Sequence, residues 1–456
     1  MTKTYDVVIA GAGIAGVSAA YFLACRQGIK HIALVDPRPP LSLTTDNSTE
    51  CYRNWWPGPG SSMVQLMNRS IDLLEDLAER SGNIFHMNRR GYLYVTGDSG
   101  HLPRFIETAE SISRLGGGDL RTHSEANSST YIPSASSGYQ GMPEGADLLL
   151  GASTIQHYFP GITDKAIAAL HVRKAGWFSA QQLGMYLLEE ASKAGAKVIQ
   201  AEVTGLELEA NRITGARLSS GETLATRCFI NAAGPGFKRV ATYAGIDLPV
   251  FSELHLKVAI QDQLGVIDRA APLLIWSDPQ RLGWSQDERT MLAEDTESAS
   301  LLGELPAGVH TRPEGGPGSQ MILMLWEYHT RVMEPVYPLP PIDPFHAEIV
   351  LRGLCRLVPG MNAYLSRLPR PRIDGGYYIK TRENRPLIGK LPVDGLYMIG
   401  ALSGFGLMAA CGAGELLAYH VTGSELPAYS PAFTLERYQD PDYLAQLNEF
   451  EVDGQL

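Results

Sequence analysis

Residues 5 to 36 read YDVVIAGAGIAGVSAAYFLACRQGIKHIALVD. Val7-Val8-Ile9-Ala10 is an apolar, β-branched run, too short for a helix and suited to a buried parallel strand. Gly11, Gly13 and Gly16 follow as G-x-G-x-x-G, and from Ile14 onward Ala15, Ala19, Ala20 and Ala24 allow a helix to lie close on a sheet. A second apolar run, His31 to Val35, ends in Asp36, twenty residues after Gly16. Each part answers a physical need. Gly11 makes a tight turn, Gly13 lets backbone approach a pyrophosphate, and Gly16 seats the helix on the sheet. The helix N-terminus, with Ile14 and Ala15 in its first turn, offers N–H groups and partial positive charge to phosphates. Asp36 accepts from ribose hydroxyls. Three glycines alone would describe any glycine-rich turn, but strand, glycines, helix, strand and acid in register describe a dinucleotide site.

Outward from that unit, composition bounds the rest. The chain has 456 residues, 44% hydrophobic and 19% charged, enough for two or three domains around a large core. A net charge of −11 without a basic block argues against a nucleic-acid surface. Five cysteines, Cys25, Cys51, Cys228, Cys355 and Cys411, are odd in number and form no C-x-x-C, so neither a disulfide framework nor a zinc site is expected. A reducing, cytoplasmic location follows as the expectation. The apolar stretch Val7 to Ala24 carries the nucleotide glycines and no basic cluster, so it is not read as a signal peptide, and no membrane span is expected elsewhere.

Along the chain, Pro37-Arg38-Pro39-Pro40 closes the first unit, and Leu41 to Gly60 is irregular. Met63 to Ser81 has helical spacing, Gly91 to Val95 reads as a strand, and His101 to Leu115 as a helix. Gly116 to Gly145 is rich in Gly, Ser, Asn and Pro and reads as a long surface excursion, either a lid or an interaction loop. A helix over Ala180 to Ala194 precedes a strand and a small meander, Val203–Leu208, Arg212–Leu218 and Glu222–Ala225. Strands are expected at His255–Gln261, Pro272–Ser277, Gly283–Gln286 and Met321–Tyr328, with Asp287 to Gly318 as a loop. On the last strand, alternation sets Trp326 and Tyr328 on one face and Glu327 on the other. Pro344–Leu357 and Ala409–Tyr419 read as helices. Nucleotide-type elements at both ends and β-rich sequence between predict intertwined domains. The first takes residues 1–90, 150–240 and 370–425, the second 91–149 and 241–369, with 426–456 as a tail.

Three strands run into glycine turns: Ile9-Ala10-Gly11, then Ile230 to Gly236 through Asn231, Ala233 and Gly234, then Ile399-Gly400 through Ser403-Gly404-Phe405-Gly406. In an open α/β sheet, ligands bind beyond the carboxyl ends of the strands, so three such turns suit one extended ligand. Glycines that merely end strands are the alternative for either later turn taken alone.

With Thr381-Arg-Glu-Asn-Arg-Pro-Leu-Ile-Gly389, Gly395 to Gly400, Ser403 to Gly406 and Gly176-Trp177-Phe178, the chain resembles the D-amino-acid-oxidase-type FAD oxidoreductases. That family holds sarcosine oxidases, glycine oxidase and dimethylglycine dehydrogenase. The resemblance implies an α/β fold of mixed α+β character, a Rossmann-like FAD-binding domain intertwined with an antiparallel β-sheet substrate domain. It implies FAD with its adenine end at the first turn and its isoalloxazine near the last. Pro37 and Arg38 would follow the ribose acid, Ser48 and Thr49 would cap the pyrophosphate side, and Val203 would meet adenine. Ala233, Gly234, Gly389 and Gly400 would flank the cofactor, and Gly404, Phe405, Gly406, Leu407 and Met408 would line the flavin's N1–C2=O edge.

Departures are informative. Leu407 and Met408 stand where the sarcosine-oxidase branch carries a carboxylate-binding lysine, and Phe405 replaces the family's histidine. Met321 to Thr330 has no cysteine and Asp46 to Arg53 no histidine, so non-covalent FAD is expected. Arg53 takes the position of an arginine that faces flavin or substrate, a surface salt bridge being the alternative. Trp55 and Trp56 wall the substrate pocket or pack in the core. His255 and Lys257 share one strand face (i, i+2), with the histidine able to take a proton and the lysine to promote reaction with O₂; two solvated edge-strand residues are the alternative. The resemblance implies oxidation of a C–N bond in a small amine or amino-acid-like substrate by hydride transfer to flavin N5, with O₂ or another acceptor closing the cycle. A flavoprotein with structural FAD and an assembly role, or an NAD(P)H-dependent flavin enzyme, are the competing readings. Substrate, acceptor and oligomeric state are not fixed by these residues.

Overall fold

The computed structural model describes residues 3–316 and 318–447. The parallel sheet expected from the opening stretch is its centre. Six strands run in the order Ala196–Gln200, Ile32–Asp36, Val7–Ala10, Phe229–Asn231, Leu396–Gly400, Leu387–Lys390, the first five parallel and the last antiparallel. Val7 to Ala10 are all buried, as a strand covered on both faces requires. One face carries the helices Ile14–Tyr21, Ser62–Ser81, Ala180–Lys193 and Gly406–Thr422. The last of these lies against the first because Gly414 leaves no side chain where a Cβ would stand 2.4 Å from Ser18 Oγ. Ser18 Oγ in turn donates to the Ala410 carbonyl at 2.7 Å. The other face is covered by a four-stranded sheet, the expected meander joined by Lys3–Thr4.

The second sheet has nine strands, ordered Arg372–Lys380, Phe251–Gln261, Met321–Leu325, His310–Pro313, Leu273–Trp276, Tyr92–Thr96, Ala168–Val172, Ala146–Leu150, Leu120–His123. It is mixed rather than wholly antiparallel, since two of its pairs run parallel. The helix His346–Leu357 covers one face, packing Ile349, Val350 and Leu354 with Val258, Ile260 and Met324. Trp326 belongs to this core, its ring against Gly353 and its Nε1 donating to the Pro306 carbonyl at 3.0 Å. The opposite face carries Glu253, His255 and Lys257 and looks toward the first domain.

Several sequence expectations change. Gly283–Gln286 is not a strand; Ser285 and Glu288 form a capping box that starts the helix Gln286–Ala293. The loop expected over Asp287–Gly318 holds that helix and the strand His310–Pro313; its Pro317 lies outside the described residues. The excursion Gly116–Gly145 contributes Leu120–His123, the sheet's outermost strand, pinned where Asp147 meets Arg121, His123 and Arg173. Strands Ala168–Val172 and Arg372–Lys380 lie in the nine-stranded sheet although the sequence boundaries allot them to the nucleotide domain. The first is a fully buried strand, which reads alike in either sheet. Of the 426–456 tail, 448–456 lie outside the described residues. All five cysteines are free thiols, and among the described residues no helix is long and apolar enough to cross a membrane.

Candidate active site

Between the two sheets lies a cleft of about 960 Å³, entered by all three glycine turns. The first turn is shaped by backbone. Gly11 has φ +107°, and a Cβ there would stand 2.2 Å from the Ala232 carbonyl oxygen. A Cβ on Gly16 would stand 2.0 Å from the Gly11 carbonyl, so Gly16 serves turn and helix packing and does not line the cleft. Gly13, Ile14 and Ala15 do line it. Gly13 is the helix N-cap and offers no side-chain cap, although Thr45 Oγ1 accepts from Ile14 N at 3.1 Å. Asp36 lines the cleft as expected, and its carboxylate also braces the turn, accepting from Ala12 N at 2.8 Å and Arg38 N at 2.9 Å.

Ala233 and Gly234 line the middle, and Gly400, Gly404, Gly406 and Leu407 the far end. There the helix Gly406–Thr422 begins behind Phe405, again without a side-chain cap, so its first N–H groups meet the cleft. The groups present therefore suit an extended dinucleotide: two helix starts whose N-cap residues supply no side-chain cap, an acid at the end of the second strand, and turns with no side chain in the way. FAD would be held by the Gly13–Ala15 turn and Asp36 at one end and by the Gly404–Leu407 turn at the other.

Other expected contacts fall elsewhere. Gly389 faces away from the cleft, its open side against His420 and Thr434. Phe405 turns edge-on to Trp56 at 4.9 Å, and Met408 is buried in the helical core with its carbonyl accepting from Ser70 Oγ. Val203, expected to meet adenine through its backbone, starts the meander with its side chain packed in the core beneath, which leaves that backbone contact open. Pro37 lies past the cleft's edge, and Arg38 stacks over the Tyr337 ring at 4.5 Å. Ser48 lines the cleft; Thr49 does not, its carbonyl being gripped by Arg312 Nε and Nη2 at 3.1 and 2.7 Å.

None of the residues expected to act on substrate lines the cleft itself, and their contacts give them other roles. Arg53 is buried, its Nε donating to the Trp55 carbonyl at 3.1 Å and its guanidinium 4.5 Å over Trp56. It is not a surface arginine. Trp55 packs in the core against Gly117. Lys257 Nζ donates to the Ser48 carbonyl at 3.0 Å and lies 3.4 Å from Asp374, so it tethers the Ser48 loop to the sheet. His255 is stacked flat on Tyr378 at 4.0 Å, and Tyr378 lines the cleft. Its Nδ1 meets Glu327 at 3.0 Å and its Nε2 meets Glu253 at 3.1 Å. Two carboxylates on two ring nitrogens call for the imidazolium. Burial alone would lower the pKa of His255, but Glu327 and Glu253 outweigh it and hold the pKa above its usual value. In return burial of Glu327 is outweighed by His255, which keeps that carboxyl low. His255 is thus a fixed cation, not a proton acceptor.

Sequence reasoning missed Leu41 to Thr45, Tyr377 to Ile379, and Ala401 to Ser403, all of which line the cleft. It also missed the Arg312 clamp, which carries an ion pair to Glu314 and lies 3.6 Å from Glu50. Only Ala401 to Ser403, inside the third glycine turn, had a local signal.

The family model described as FAD-dependent oxidoreductase (DAO) matches residues 6–420. The chain belongs to the DAO family of FAD-dependent oxidoreductases. Within the family it is 24% identical over 442 residues to sarcosine oxidase subunit beta of Arthrobacter sp., covering 96% of this chain and 92% of that one. The corresponding subunit of Rhodobacter capsulatus is 24% identical over 447 residues, with 97% and 90% covered. Among solved structures, L-proline dehydrogenase from P. horikoshii superposes with a TM-score of 0.73 at 21% identity over 96% of this chain and 99% of that one. Glycine oxidase from Geobacillus kaustophilus gives 0.70 at 17% identity over 96% and 99%. These likenesses give the fold: a Rossmann-type FAD domain intertwined with a β-sheet domain.

Proposed function

We propose that the protein oxidises a carbon–nitrogen bond of a small amine or amino-acid-like substrate, with FAD held non-covalently as the hydride acceptor. One observation carries the reading: Tyr378 lines the cleft and stacks on His255, which brings the charged face of the nine-stranded sheet up behind the cleft wall. The activities that the relatives are named for, on sarcosine, proline and glycine, agree in bond type.

Bound FAD supplies the two-electron chemistry. The chain's own task is to seat the substrate carbon beside it, exclude water and keep the charges fixed. In this reading Arg53 takes a substrate carboxylate, which compensates for the apolar Leu407 and Met408. Glu327, whose side chain is 37% exposed, orients the amino group. The imidazolium of His255 keeps Glu327 ionised and in place. Lys257 holds the Ser48 loop over the cofactor.

Anaerobic mixing with a panel of N-methyl, cyclic and unsubstituted amino acids and neutral amines tests this. Loss of the flavin's visible absorbance with at least one amine is expected. If none bleaches it while FAD stays bound, the structural-flavin reading replaces ours. Bleaching by NADPH alone would favour the nicotinamide-dependent one. Acid precipitation should release all flavin to the supernatant; flavin left on the protein would overturn non-covalent binding.

A further inference from the structure

The flavin end of the cleft is entered through two non-glycine residues in the left-handed region, Ala401 at φ +50° and Ser403 at φ +46°. Such backbone costs on the order of 1 kcal/mol or more per residue and persists where the surroundings enforce it. Ser403 is enforced twice. Its N–H donates to the Ile379 carbonyl at 3.0 Å, and its hydroxyl is within hydrogen-bond reach of the Asn384 side-chain amide. Asn384 is itself left-handed at φ +56° and buried, at the tip of a turn that Thr381 closes with Arg385.

The amide can meet Ser403 in two ways. With Oδ1 toward the hydroxyl, Ser403 donates its proton to Asn384, and Nδ2 remains buried without a partner. Turned by half a rotation, Nδ2 donates to Ser403 Oγ and the atom left over is Oδ1. A buried orphan N–H is rarer and costlier than an under-used carbonyl, so the second arrangement is favoured. Its consequence lies in the cleft, which Ser403 lines. Having accepted from Asn384, the Ser403 hydroxyl no longer needs its own proton for that contact and directs it into the cleft, beside the uncapped start of the Gly406–Thr422 helix.

We propose that Ser403 is a hydrogen-bond donor to the isoalloxazine, where negative charge collects on reduction, and that Asn384 is the positioning residue that fixes the direction of that proton. This rests on the reading that the isoalloxazine occupies the Ala401–Leu407 end. A donor aimed at developing charge stabilises the reduced cofactor more than the oxidised one, and so raises the midpoint potential.

The test is the midpoint potential of FAD in the full-length protein, measured with FAD affinity and thermal stability. Ser403→Gly deletes the hydroxyl while accepting the left-handed backbone without strain. It should load FAD and be no less stable, yet the two-electron reduction equilibrium should fall about tenfold, ~30 mV. Asn384→Leu removes the positioning donor and should shift the potential in the same direction. In the Ser403→Gly background, Asn384→Leu should add nothing. If Ser403→Gly keeps the wild-type potential, or Asn384→Leu shifts it as far again without the hydroxyl, the proposal is overturned. Gly404→Val separates the underlying reading: it should block FAD loading, and normal loading would mean that the isoalloxazine lies elsewhere.

Discussion

The two ends of the cleft reach the same goal, backbone close to a ligand, by opposite means. At the Gly11 end, where our reading seats the adenosine, the shape is made by what is absent: Gly11 and Gly16 leave space that any side chain would fill. At the flavin end it is made by what is present. Ala401, Ser403 and Asn384 take up left-handed backbone despite their side chains, and hydrogen bonds hold Ser403 and Asn384 there. A site built from absence is blocked by an added side chain, and one built from presence is tuned by which of its hydrogen bonds remain.

Adding to the first end should have the largest effect. Gly11→Val would drive a side chain into the Ala232 carbonyl, and we expect no FAD on the purified protein, read as the ratio of flavin to protein absorbance. Removing support from the second should come next. Glu383, one residue before Asn384, is buried, and its Oε1 accepts from Arg437 at 2.6 Å, Tyr438 at 2.6 Å and Tyr443 at 3.0 Å. Arg437→Met would strand that carboxylate and should cost ~3–5 kcal/mol in unfolding measurements. If stability barely changes, the flavin end is not held from behind in this way.

Arg53→Met should lower kcat/KM about a hundredfold for a carboxylate-bearing amine, the worth of a charged hydrogen bond of ~2–3 kcal/mol, and much less for a neutral amine. Equal losses for both would assign Arg53 to structure alone. The smallest effect concerns pH. The raised pKa of His255 means its stabilisation is complete below the unfolded value of ~6.5 and fades as pH climbs through the folded value. Glu253 and Glu327, held low by His255, contribute above ~4.3 and lose their share as pH falls through their folded values. The difference in Tm between wild type and His255→Gln should therefore be greatest between about pH 4.3 and 6.5 and shrink at higher pH. A difference that grows with pH would mean His255 is neutral.

The same contrast explains what was legible in the sequence. An end made by glycines announces itself, because glycine at fixed spacing is the physical requirement; Gly11, Gly13 and Asp36 were readable one by one. The other end depends on pairs far apart in the chain, Asn384 with Ser403, Lys257 with Ser48, Arg312 with Thr49, and no local pattern encodes them. His255 shows the limit. Alternation placed it and Glu327 each on a face of its own strand, but their pairing across 72 residues has no local signal. Gly389 erred in the opposite sense, since a glycine in a familiar run was credited with a ligand when it makes room for His420.

The closeness of Gly11 to Ala232 has a bearing on how the protein is made. The fingerprint turn closes against a strand that the ribosome supplies some two hundred residues later, and that strand is flanked in turn by Leu396–Gly400. A nascent chain that has exposed only its first unit holds the recognisable motif but lacks the wall that gives the motif its shape. Cofactor capture is therefore a late event in biosynthesis, and fragments cut before residue 400 should emerge as apoprotein whatever the flavin supply.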